Sequence, residues 1–150
     1  MEESVLIDFL KERLGNNFLS AKVEKMSIPV STNGMCVVLK QKVVICHVKD
    51  EAKALNSLWR FATDGLPMLF VTYQRSAPLL LKDMYAEVFG SSVDKLDLHN
   101  STALKHIGTF LDDFSDAKIY IDDSAKNLQA KSVKELLFSQ DVKLVVTDLQ

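Results

Sequence analysis

The sequence predicts an α/β protein with three layers: a mostly parallel sheet with helices on both faces, preceded by an N-terminal amphipathic helix. Three observations predict it. From residue 43 onward, β-rich runs and helical patterns alternate in the order β, α, β, α, α, β, α, β. The run 68–73, MLFVTY, is continuously apolar, as in a strand covered on both faces. Helix stops such as Asp64-Gly65 and Gly90 fall where the apolar period ends.

Residues 3–14 set Val5, Leu6, Phe9, Leu10 and Leu14 on one helical face against Asp8, Lys11, Glu12 and Arg13, and Gly15 is a fitting stop. Residues 16–34 carry little pattern, and Ile28-Pro29 followed by STNG at 31–34 reads as a loop. The chain thus divides into an N-terminal helix with a linker loop, 1–34, and an α/β domain, 35–150. Within the domain, 35–39 and 43–48 read as strands separated by Lys40-Gln41-Lys42. Residues 51–63 form a helix with Asp50 as N-cap and Leu55, Leu58, Trp59 and Ala62 as its apolar stripe. After the strand 68–73, Ser76 and Pro78 open a helix that ends at Gly90. A helix over 102–114 capped by Asn100 or Ser101, a strand over 118–121, a helix over 129–138 and a strand over 142–147 complete the order.

At 150 residues, 47% hydrophobic and 25% charged, the chain fits one soluble globular domain. A net charge of −2 excludes a strongly basic nucleic-acid binder while leaving a local basic patch open. The charged N-terminus is no signal peptide, and no apolar run reaches the roughly 20 residues of a membrane helix. Two cysteines, Cys36 and Cys46, without a secretion signal imply reduced thiols in a cytoplasm, behaving as small core residues.

Three segments share a resemblance. GLPMLFVTYQRSA at 65–77 resembles the DnaB-type replicative helicase segment GKPVLFFSLEMSA, in which a strand leads into a helix. AKIYIDD at 117–123 resembles that family's APLYIDD, and LVVTDLQ at 144–150 resembles its Walker B strand LIVIDYLQ, one residue shorter. The resemblance covers residues 43–150 and implies a RecA-like, P-loop NTPase-type fold.

It also implies a phosphate-binding loop after the strand 43–48, where the P-loop pattern is G-x-x-x-x-G-K-S/T. With Lys53 on the motif lysine, His47 and Ala52 stand at the two glycines and Ala54 at the hydroxyl residue. The backbone freedom that lets amides curl around phosphates is lost, and so is a magnesium ligand. Asp50 and Glu51 place negative charge where phosphate would sit. The family's catalytic glutamate falls on Gln74, whose amide is no base. Asp148 does match the Walker B aspartate that positions magnesium.

The resemblance therefore implies a non-catalytic DnaB-like or RecA-like pseudo-ATPase, an interaction or regulatory component of a DNA replication or recombination assembly. Lys53 and Asp148 would be vestigial cofactor-binding residues, with no catalytic residue, no resident metal and no required cofactor. It would meet a protein partner or a second copy of itself through RecA-like subunit surfaces and the N-terminal helix. One alternative keeps ATP and magnesium on Lys53 and Asp148; another is an unrelated α/β interaction domain. Asp122-Asp123 reads as turn chemistry rather than a metal site with Asp148. Cys46-His47 with Cys36, His99 or His106 lacks the paired spacing of a zinc site. Lys40, Lys42, Lys49 and Lys53 form a basic group that could touch DNA or merely guard a sheet edge.

Overall fold

The computed structural model describes residues 2–97 and 99–148, so Met1, Leu98 and the last two positions of the expected Walker B segment lie outside it. The chain runs α1 (Glu3–Leu14), β1 (Phe18–Thr32), β2 (Met35–Val48), α2 (Glu51–Thr63), β3 (Met68–Val71), α3 (Ala77–Phe89), α4 (Ser101–Asp116), β4 (Ile119–Asp122), α5 (Lys131–Ser139) and β5 (Leu144–Thr147), with short 3₁₀ turns at Gly15–Asn17 and Val93–Lys95.

The expected mostly parallel RecA-like sheet is not what forms. The sheet is mixed, in the order β1-β2-β5-β3-β4, with β1 antiparallel to β2 and the other neighbours parallel. The cause lies in residues 16–34, expected to be a loop. Asn33 and Gly34 both take positive φ, 52° and 77°, as a two-residue type I′ turn requires. That turn folds β1 back on β2 from Thr32–Met35 down to Phe18–Val48. The two short strands expected at 35–39 and 43–48 are one strand of 14 residues.

Helices cover both faces, unevenly. On one face Leu6, Leu10 and Leu14 of α1, Leu55 and Leu58 of α2, Leu80 and Met84 of α3 and Phe110 of α4 pack on Val44, Cys46, Met68, Phe70, Leu144 and Val146. On the other, Val133 and Leu137 of α5 pack with Val43, Ile45, Leu69, Val71 and Val145. Both faces of β3 and β5 are buried, which is why they carry unbroken apolar runs. The helix α1 is a layer of this core: Phe9 stacks on Phe61 of α2 with ring centroids 4.5 Å apart.

Beyond its pairing with β5 the hairpin keeps only its root on the body, where Met26 is buried and accepts from Gln129 Nε2 and Gln41 Nε2 donates to the Val142 carbonyl. Strand β2 pairs with β5 only over Val44–His47, so the pairs from Glu24–Val43 out to Thr32–Met35 have no third strand among the described residues. Residues 31–40 are all exposed, and Cys36, expected in the core, lies among them. Cys46 is buried as expected.

Candidate functional site

In open α/β sheets, ligands sit beyond the carboxyl ends of the parallel strands. Here that edge carries Glu51, Thr72, Asp122, Thr147 and Asp148, all buried polar residues. The expected P-loop position lies there too, between β2 and α2, but only Lys49 and Asp50 separate strand from helix. Asn17 holds both. The amide of Lys49 donates to the Asn17 carbonyl, that of Asp50 donates to Asn17 Oδ1, and Asn17 Nδ2 donates to the Asp50 carbonyl.

The next amides are taken as well. Asp50 caps α2 as expected, its Oδ1 accepting from the amides of Ala52 at 2.9 Å and Lys53 at 3.5 Å, while the amide of Ala54 donates to the Asp50 carbonyl. Arg75 donates to the same carboxylate at 3.2 Å. Burial works against ionisation of Asp50, but Arg75 and the two amides hold its carboxyl below the ordinary value. Removing the cap tests this arrangement. Asp50→Ala is expected to lower stability by about 1 to 2 kcal/mol, read as an earlier thermal transition by circular dichroism.

Asp148 does not face an open site. Its Oδ1 accepts from the amide of Tyr73 at 2.9 Å, and its Oδ2 from the amide of Gln74 at 3.2 Å and from Thr72 Oγ1 at 3.4 Å. The carboxylate clamps the loop after β3 to the end of β5. Asp122 is used in the same way: it accepts from the amides of Ser124 and Ala125 and from the hydroxyls of Ser124 and Ser132. Burial again opposes its ionisation, and these hydrogen bonds keep its carboxyl below the ordinary value. Asp123 accepts from the amide of Ala77 at 2.7 Å, supplying the cap that Ser76 was expected to give α3.

Glu51 is the exception, and sequence reasoning missed it. Expected to place a negative charge where phosphate would sit, it is 1% exposed, and neither carboxyl oxygen has a hydrogen-bond partner among the described residues. Burial, reinforced by the Asp148 carboxylate, pushes its pKa up to about 9. At neutral pH it is therefore a neutral, buried carboxylic acid beside Asp148. Tyr73, whose hydroxyl is also buried without a partner, is shifted upward by burial and by Asp122, Asp148 and Glu51.

The remaining expected site residues differ in exposure. Lys53 is the exposed residue in an otherwise buried first turn of α2, whereas Asp148 is buried. Lys40 and Lys42 lie on the hairpin and Lys49 at the opposite end of β2, so the basic group does not form a single patch. Burial lifts the Cys46 thiol to about 12, which makes it inert as a nucleophile. His106 stacks on Phe89 at 5.7 Å. Among the described residues no group of three His, Cys, Asp or Glu side chains could hold a metal ion, and no helix is long and apolar enough to cross a membrane.

A pocket of about 450 Å³ opens at the other end of the sheet, floored by Leu6, Val44, Phe61 and Leu66 with Lys42 and Lys143 at its side. It lies at the amino ends of the parallel strands, away from the usual ligand edge. No protein-family model matches the chain, nor does any curated protein or any solved structure. The likeness to DnaB-type helicases rests on the three sequence segments alone.

Proposed function

We propose that this chain is a non-catalytic binding protein whose strand-end crevice is closed to nucleotide by its own acidic side chains. The observation that carries the reading is Glu51, fully buried beside Asp148. A triphosphate brought there would meet carboxyl groups instead of free amides. The amides of Asp50, Ala52, Lys53, Ala54, Tyr73 and Gln74 already have acceptors within the chain.

The three segments that resemble DnaB-type helicases support a place in a replication or recombination assembly, on a protein partner or a second copy of the chain. The mixed sheet takes the RecA-like subunit surfaces out of that reading, and α1 keeps its leucines for its own core. A cytoplasmic setting suits the two free thiols.

Calorimetric titration with ATP and magnesium, repeated on Lys53→Ala, tests the reading. The expected result is no binding heat and no thermal stabilisation at millimolar ATP. Micromolar binding that Lys53→Ala abolishes would overturn it in favour of a working nucleotide site on Lys53 and Asp148.

A further inference from the structure

We infer that the free β1–β2 hairpin is a nucleic-acid-binding arm, with Lys25, Lys40 and Lys42 gripping the phosphate backbone of a duplex. The inference rests on the hairpin alone and does not depend on the state of the strand-end crevice.

Side chains alternate across a ribbon, so the pairs Lys25–Lys42, Ser27–Lys40, Pro29–Val38 and Ser31–Cys36 share one face, and Met26–Gln41, Ile28–Leu39 and Val30–Val37 share the other. All three lysines of the free ribbon thus fall on one face. Residues 25–46 contain no aspartate or glutamate, in a chain of net charge −2. Lys25, Lys40 and Lys42 are exposed, and none lies in an ion pair among the described residues. Of the acids around the ribbon, Glu24 faces the other way and pairs with Lys22, Glu135 lies by Ile28 and Pro29 and pairs with Lys131, Asp141 pairs with Lys143, and Glu3 and Asp64 line the pocket that Lys42 helps to line.

Folding does not account for this placement. Like charges directly opposite on a ribbon are destabilising, and Lys25 and Lys42 are direct partners. Lysines that only guarded an edge would serve as well on either face, and better near the tip, where residues 31–39 carry none. A polyanion relieves the repulsion and supplies the missing counter-charge.

The shape selects a duplex. A two-stranded ribbon fits the major groove, and this one runs about 30 Å past its pairing with β5 at about 3.3 Å per residue, its root resting on the body through Met26 and Gln41 and its outer end, residues 31–36, exposed throughout. The groove is only about 8.5 Å deep, so the ribbon lies along it and sets its one lysine-bearing face against a row of phosphates. The exposed Pro29–Val38 pair lies next outward on the same face. Single strands are bound by aromatic stacking, and the strands β1 and β2 carry no Phe, Tyr or Trp beyond Phe18 at the base.

The test is fluorescence anisotropy with a labelled duplex of about 20 base pairs, titrated with the full chain at several salt concentrations. The expected Kd near physiological salt is on the order of 10⁻⁴ to 10⁻⁶ M. Replacing Lys25, Lys40 and Lys42 together by alanine should weaken binding at least tenfold at low salt. It should also flatten the log–log salt dependence by about 2.7, at 0.9 per lost phosphate contact. The triple arginine variant should retain binding. A control removing the same charge elsewhere, Lys11→Ala with Lys105→Ala and Lys126→Ala, should change little. Equal loss in the control would overturn the inference, as would absent duplex binding at low salt. So would capture by phosphatidylserine vesicles in preference to the duplex, which would make the arm a membrane contact.

Discussion

Raising the pH from about 5 to about 8 is expected to destabilise this protein, and Glu51→Gln to remove most of that loss. Glu51 has an ordinary pKa of 4.5 and one of about 9 in the fold. Between those values the folded chain holds a proton that the unfolded chain has released, so stability falls as pH rises. Its contribution is fully present below the ordinary value and is lost on the way up to about 9. The slope is at most about 1.4 kcal/mol per pH unit, or about 4 kcal/mol over three units. The lowered carboxyls of Asp50 and Asp122 act in the opposite sense and at more acid pH, and Cys46 enters only above its ordinary value of 9. Glutamine keeps the size of Glu51, cannot ionise, and can donate to Asp148. Urea midpoints of the two proteins should therefore converge near pH 5 and separate by pH 8, with the variant more stable. Parallel profiles would mean that Glu51 is charged and solvated in the fold, which would remove the basis for a crevice closed to phosphate.

The parts of the fold that were legible are those in which local chemistry and burial agree. Helix α2 begins and ends where Asp50 and Asp64-Gly65 said it would, because the Asp50 cap is a contact made within three residues. Strands β3 and β5 were legible because burial on both faces leaves only apolar residues. Strand β1 was not. A ribbon outside the core needs no apolar face of period two, and among residues 18–32 only Met26 is buried. Pro29 within the run also argues against a strand unless it lies at an edge, which is where β1 lies. The signal that could have found it was Asn33-Gly34, which reads as a general loop until both residues are required to take positive φ.

The site was half legible for a related reason. A strand-ending Asp148 is visible in the chain, but its hydrogen bonds to the amides of Tyr73 and Gln74 exist only once β3 lies beside β5. Glu51 reads as a charge at the head of α2 because its burial comes from tertiary neighbours. Where a P-loop alignment placed a phosphate, the folded chain has placed a proton.

Leu10→Ala is expected to cost about 2 to 5 kcal/mol, whereas Val5→Ala one and a half turns away should stay within about 0.5 kcal/mol. Both residues lie on the apolar side of α1 as the sequence draws it. Leu10, however, is 0% exposed and packed in the core shared with α2 and β2, while Val5 is 52% exposed. The cavity left by Leu10 cannot collapse easily, since the adjacent Phe9 is stacked on Phe61 and holds α1 against α2. Chemical denaturation of the isolated chain distinguishes two roles for α1. A helix that waits for a partner would leave the midpoint unchanged in Leu10→Ala and alter only association. A helix that completes the core would shift the midpoint at every protein concentration. The second outcome is expected, and it would direct the search for a binding surface away from the leucines of α1 and toward the exposed ribbon of β1 and β2.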